Sequence, residues 1–414
     1  MGLGASTAVW GSLLDGARDP DTVVLRGSRQ LRSGRKLLGG TLVATPVFDP
    51  SIFGGSAMGV RASRDPAGAL GSWSDSASPA ICVPDGTRYL DLVSALDALT
   101  ERLPAVGPIV VGLGLHRRMS ERELSSLARF SPLQHDPDDC VQTAVVNGIA
   151  GAVFRPVAQS SYAIAVGVVE LHQYAGLSGG HKAVAVGCGG RETIAALHHR
   201  DMVTASGVCI GTLAGNPFRE AVDALGEAAG CRLALVYVPA ADCWLFGDPK
   251  AVLKEAMSRI QPWSMVSECA PGAVLDVPDS KASSVYQASR AATYLALSPQ
   301  PPVAEGGTLI LRAACPEGLG SESGFVAAMT SMRPPWTEAL SGCPPQGPGA
   351  QRVVMLAKMA QRYHLRVEGC INPGALNAVG IEATSEVTEP PATWLRVPHP
   401  FQRLPQCPVI PSTD

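Results

Sequence analysis

The chain has 414 residues, more than one ordinary core accommodates, which points to two domains or three. Hydrophobic residues make up 46% and charged residues only 17%, so core material is ample; 44 glycines and 34 prolines imply many turns. A formal charge of -3 with no basic run gives nucleic-acid binding no electrostatic support, and no apolar run approaches the roughly 20 residues of a membrane-spanning helix.

Eleven cysteines, with no C-x-x-C pair and an odd count, read as a reduced, cytoplasmic chain rather than a disulfide framework. The start of the sequence has no basic segment followed by an apolar one, so no secretory signal is expected; Met1, Gly2 and Ser6 fit the short myristoylation pattern.

In chain order, the first 80 or so residues read as irregular and rich in Gly, Ser and Asp. Asp85, Gly86, Thr87 and Arg88 form a turn before a helix over 89–102. A buried strand over 108–111 runs into Gly112 and on to His116. Ser120 and Glu123 make a capping box that opens a helix through about Arg129. A second buried strand, 162–169, delivers His172 just past its end. Asn216 and Pro217 open a helix that Gly230 closes, a strand covers 233–238, and Asp248 with Pro249 caps the next helix. The stretch 262–278 reads as turn-rich. A helix over 284–297, a Pro-rich break at 299–302, a strand over 308–314, a helix over 351–362 and a strand over 364–371 follow. The proline-rich tail after Thr388 is expected to wrap the surface. This alternation predicts an α/β fold with a largely parallel sheet. The expected organisation is two α/β domains joined by a hinge, with the active site in the cleft between them. The boundaries are 1–275, a hinge region 276–298, and 299–414.

Four of the eight histidines, His172, His181, His198 and His199, fall within 170–203, with Lys182 among them in a glycine-rich loop. Consecutive glycines let backbone N–H groups approach an anion, and a neighbouring lysine neutralises phosphate or attacks as an amine. The same loop, Ser178, Gly179, Gly180, also reads as a tight turn with a solvated lysine, and the P-loop pattern is absent. His198 and His199 diverge on a helical turn, so one at most faces a site; imidazole suits Zn, Ni, Cu and Fe. His116 and His172 each follow a strand, where open α/β sheets bind ligands. Either is a general acid or base, or a structural histidine. Arg88 is a bidentate anion holder or a solvated side chain. Gln287 and Arg290 share a helical face at i and i+3, which is otherwise a polar stripe.

Together these residues resemble the nickel-dependent lactate racemase family. Its H-x-x-x-G-x-S-G-G-x-K loop and following T-I-x-x-x-H segment are matched by His172, Gly176, Ser178, Gly179, Gly180 and Lys182, then Thr193, Ile194 and His198. The G-x-H-R segment is Gly114 to Arg117, the D-x-T-R turn is Asp85 to Arg88, and Gly215, Asn216 and Pro217 also fit. A Y-Q-x-x-K segment is matched from Tyr286 and Gln287, with Arg290 in place of lysine. The resemblance implies a racemase or epimerase that inverts C2 of a 2-hydroxy acid through a 2-keto acid. It implies a nickel-pincer nucleotide held covalently on Lys182, with His198 as the protein ligand to nickel and His181 and His199 as bystanders. Asp85, Thr87, Ser178, Gly179 and Gly180 would help hold that cofactor. His116 and His172 would act as bases on the two sides of the substrate. Arg88 and Arg290 would hold its oxygens beside Gln287. Cofactor-synthesis enzymes would be loading partners, and the substrate a small 2-hydroxy acid. Arg290, and Gln351 where the lactate enzyme places a tryptophan, point to a substrate larger or more polar than lactate. Two other readings stand beside this one: a zinc hydrolase using His172, His198 and a carboxylate, and a non-catalytic relative that binds a nucleotide or hydroxy acid.

Overall fold

Strands whose two faces are both covered need apolar residues at every position, and three segments of this chain supply them. Ala80–Pro84, Ala163–Val168 and Cys231–Val238 are almost wholly buried. They lie in a seven-stranded sheet in a computed structural model that describes residues 59–341 and 346–407. From one edge the order is Arg61–Ser63, Cys243–Gly247, Cys231–Val238, Ala163–Val168, Ala80–Pro84, Ile109–Gly112, Leu133–Gln134. The last five strands run parallel, while Cys243–Gly247 and Arg61–Ser63 close the edge antiparallel.

The two faces of this sheet differ in side-chain size. Ala80, Cys82, Ala163, Ala165 and Ala234 point to one face, and Ile81, Val83, Ile164, Val166, Leu233 and Leu235 to the other. The large face packs against the helix Leu92–Thr100 through Ala95, Leu96 and Leu99. The small face lets backbone come close: a Cβ on Gly112 would sit 2.9 Å from the Gly187 carbonyl carbon. That approach seats the π-helix Ala183–Gly187, and with it Lys182, over the strand ends.

A second, wholly parallel sheet of five strands has the order Glu382–Ala383, His364–Glu368, Val303–Arg312, Ala270–Asp276, Leu395–Val397. The helices Val285–Ala296 and Gln351–Ala360 pack with it, and its core merges with that of the small face of the first sheet. All described residues fall in one compact unit. Among them no helix is long and apolar enough to cross a membrane.

Most of the expected elements form, including the capping box at Ser120 and the Asn216 and Asp248 caps. The turn-rich reading of 262–278 is corrected: Trp263–Met265 and Ala270–Asp276 are strands, and the latter lies inside the second sheet. The ladder skips register between Ala270 and Gly272, so Pro271 sits where no ladder N–H is needed. The all-reduced expectation is also corrected. Cys269 and Cys407 are disulfide-bonded with Cα atoms 5.9 Å apart, while the eight other cysteines among the described residues are free. The Met1-Gly2-Ser6 pattern, most of the irregular first stretch and the end of the proline-rich tail lie outside the described residues.

Candidate active site

Loops at the carboxyl ends of three neighbouring parallel strands carry the chemistry. Asp85, Thr87 and Arg88 follow Ala80–Pro84, His116 follows Ile109–Gly112, and Glu170 and His172 follow Ala163–Val168. All of these but Glu170 line a cavity of about 390 Å³ that is also lined by Ser178, Gly179, Lys182, His198, Arg290 and Arg352. Of the residues expected in the site, two lie off this cavity. Gly180 packs with a positive φ of 59° against Leu253 and Pro249. Gln287 lines an adjoining pocket of about 220 Å³ that shares Asp85, Thr87 and His116, and its buried Oε1 has no hydrogen-bond partner. Gln351 lines the main cavity.

His116 is oriented by Asp85, whose Oδ2 lies 2.7 Å from its Nδ1. The other Asp85 oxygen accepts from the Thr87 amide at 3.1 Å and the Thr87 hydroxyl at 2.5 Å. Burial pushes the Asp85 carboxyl up, but His116, Thr87 and Arg88 outweigh it and hold it well below the usual range. Asp85 is therefore an ionised acceptor, with both oxygens engaged inside the protein.

His172 is buried among aromatic rings, 5.7 Å from Tyr174 and 6.3 Å from Phe218. Its Nδ1 accepts the amides of Ala175 at 3.1 Å and Tyr174 at 3.3 Å. Burial, then the charges of Lys182, Arg88 and Arg290, drive its pKa well below the ordinary value, so the ring is neutral at pH 7.

His198 caps the helix Arg191–Leu197, and its Nδ1 lies 2.8 Å from the Ile194 carbonyl. A carbonyl only accepts, so Nδ1 carries the proton and Nε2 keeps a free lone pair. Burial pushes this imidazole down to about 4, against the Ile194 carbonyl and with help from Lys182, Arg290 and Arg352. A neutral imidazole whose second nitrogen is fixed by a carbonyl is the form that binds a metal. The other two histidines of the stretch have local tasks. His181 is buried and bonded to Asp223, which Arg219 also holds, and exposed His199 caps the helix Arg200–Val203.

Lys182 stands at the start of the π-helix, aimed by the loop before it. There the Ser178 hydroxyl donates to the Val168 carbonyl at 2.7 Å and accepts from the Glu170 amide at 2.9 Å. Burial first, then repulsion by Arg88, Arg290 and Arg219, pushes the amine down to about 7. Half of such amines are neutral, and nucleophilic, at physiological pH.

Three residues that sequence reasoning passed over shape the site. Glu170 bonds to Arg88 and lies 3.3 Å from the Lys281 ammonium, which also donates to the Thr87 carbonyl at 2.5 Å. Burial raises the Glu170 carboxyl, but Lys281 and Arg88 hold it below its usual range; burial pushes Lys281 down to about 8. Arg88 is thus tethered rather than free. Arg352, 4% exposed, donates to the Gln173 Oε1 at 2.9 Å and the Thr293 hydroxyl at 2.8 Å. Among the described residues neither Arg290 nor Arg352 nor Lys182 has a carboxylate in ion-pair reach, and Arg290 stacks on Tyr286 at 5.2 Å. Only Glu170 carried a sequence signal, as the acid opening the histidine stretch. Lys281 and Arg352 meet their partners across long separations in the chain.

The site is a cation-rich cavity at the carboxyl ends of parallel strands, the place where open α/β sheets bind ligands. Residues 72–209 match the model of the lactate racemase N-terminal domain. The fold agrees with the lactate racemase apoprotein from Thermoanaerobacterium thermosaccharolyticum, with a TM-score of 0.68 at 15% identity over 80% of this chain and 87% of that one. A Thermotoga maritima protein solved by structural genomics matches with a TM-score of 0.61 at 15% identity, over 81% of this chain and 94% of that one. No curated protein matches by sequence.

Proposed function

We propose that this protein is a racemase or epimerase that inverts C2 of a 2-hydroxy acid, using a nickel-pincer nucleotide attached to Lys182. The observation that carries the reading is the convergence of Lys182, His198, His116, His172, Arg88 and Arg290 on one cavity. The residues fit the cofactor. A lysine amine that is half neutral at pH 7 suits acylation, and the bare Nε2 of His198 suits nickel. When bound, the cofactor supplies the hydride acceptor that turns the substrate into a 2-keto acid. The chain supplies position and charge. Arg290 and Arg88 hold the substrate's carboxylate, Arg88 being fixed by Glu170. His116 and His172 attend the hydroxyl. Asp85 and Thr87 act through His116, and the Ser178 loop aims Lys182 and shields the phosphate end of the cofactor.

Arg352, hydrogen-bonded only to neutral partners, lines the cavity with Arg290 and Gln351 and favours a substrate more polar than lactate. We assign residues 1–275 to a cofactor-binding and catalytic domain, 276–298 to a hinge region and 299–414 to a C-terminal domain. We also place the protein in the cytoplasm, with the enzymes that make and load the cofactor.

The zinc-hydrolase reading needs three converging protein ligands. Among the described residues no three His, Cys, Asp or Glu side chains form such a group. Intact mass of protein produced with nickel and the cofactor-synthesis enzymes tests the proposal. The expected result is a covalent adduct that peptide mapping places on Lys182 and that Lys182→Ala removes. A racemase fully active without an adduct would refute it.

A further inference from the structure

Among the described residues, Arg352 is a buried charge with no carboxylate to pair with. It stands in the first turn of the helix Gln351–Ala360, is 4% exposed and lines the main cavity. Its Nη1 donates to the Gln173 Oε1 at 2.9 Å and the Thr293 hydroxyl at 2.8 Å, both neutral. Its Nε has no hydrogen-bond partner, and neither has the Gln173 Nε2 or the Tyr174 hydroxyl, which belong to residues of the same cavity wall. Thr293 lies one helical turn from Arg290 and bonds to its carbonyl at 3.2 Å, so the second guanidinium is held beside the first. Beyond burial, both charges act on the same neighbours, the His198 imidazole and the Tyr174 phenol. A guanidinium keeps its charge at any working pH, so burial leaves Arg352 in want of an anion.

We infer that Arg352 receives a second carboxylate of the substrate, which makes that substrate a short 2-hydroxy dicarboxylic acid. This rests on the racemase reading and deepens it. Arg88 and Arg290 take the carboxylate next to the reacting carbon, and Arg352 takes the one at the far end of the chain. A hydroxylated tail would occupy the unspent donors but leave the guanidinium charge unpaired, and a methyl tail would do neither. The phosphate of the cofactor is an anion too. Its end of the cofactor is assigned to the Ser178 loop, however, whereas Arg290 and Arg352 bear on His198, the proposed nickel ligand. The cavity of about 390 Å³ has to admit the cofactor as well, so the chain between the two carboxylates is short.

Calorimetric titration of the cofactor-free protein tests this, comparing four- and five-carbon 2-hydroxy dicarboxylates with 2-hydroxy monocarboxylates of the same length. The wild type is expected to bind the better diacid roughly 10–100-fold more tightly, the weight of one charged hydrogen-bonded contact. Arg352→Gln is expected to erase that preference and leave monoacid binding within about twofold, and Arg352→Lys, which keeps the charge but not the fork, to fall between. Equal binding of the two classes by the wild type overturns the inference, whether or not the variants fold. So does a diacid preference that survives in Arg352→Gln. If Arg352→Gln weakens binding of a pyridinium mononucleotide and not of the diacid, the arginine serves the cofactor and the inference falls. In the loaded enzyme, Arg352→Gln is expected to raise the diacid KM by a similar factor, with kcat within about threefold. A loaded wild type that inverts no acid refutes the racemase reading, while the titration still decides the role of Arg352.

Discussion

Lys182 shows how much chemistry one environment imposes on an ordinary side chain. Its amine is buried and sits among Arg88, Arg290 and Arg219, which outweigh the opposing charge of Asp85, so the charged form is disfavoured. The neutral fraction grows as pH rises through about 7, and so does nucleophilicity. Limited acylation of the cofactor-free protein with an amine-selective reagent, read by peptide mass, should therefore show Lys182 labelling half-maximal near pH 7. Surface lysines should titrate near about 10.4. A midpoint for Lys182 near the surface value would remove the case for an activated amine. The residue types were legible in the sequence because the loop, the lysine and the histidines fall within one short stretch. Their tasks were not, because these depend on partners such as Asp85 for His116 and Ile194 for His198, which spacing alone does not select.

At the scale of elements, caps were legible and irregular elements were not. Asn216 ends a loop and starts the helix Pro217–Ala228, its Oδ1 accepting from the Arg219 amide at 3.1 Å. Its amide also donates to the carbonyls of Tyr174 at 2.8 Å and Thr212 at 3.0 Å, tying that helix to the turn that carries His172. Asn216 is fully buried, so Asn216→Ala removes a cap and orphans two carbonyls. Urea denaturation should show a loss of about 2–4 kcal/mol, with Asn216→Asp in between because it keeps the cap alone. A loss under about 0.5 kcal/mol would mean the tie carries no weight. The π-helix behind Lys182 has no apolar period of its own, and the strand Ala270–Asp276 hides behind Pro271 and Gly272. Both are set by neighbours: the close contact of Gly112 with Gly187, and the parallel strands on either side.

At the scale of the whole molecule, the alternation of strands and helices made the α/β class legible, and the buried runs made the parallel strands so. The joining of the two sheets was not legible. It rests on pairs far apart in the chain, such as Lys281 with Glu170 and Arg352 with Gln173. These contacts bring Arg290 and Arg352 over the strand ends that carry His116 and His172, so one cavity is lined from both sheets' helices and loops. In the proposed reaction this cavity inverts a hydroxylated carbon by moving its hydrogen out and back as hydride. The direct measurement supplies one enantiomer of a 2-hydroxy acid, deuterated at C2, to the cofactor-loaded protein in ordinary water, across a panel of such acids. Chiral chromatography with mass detection should find the opposite enantiomer with its deuterium retained. An antipode that has exchanged its deuterium for solvent hydrogen, or no antipode from any acid of the panel, would rule out hydride transfer at this site.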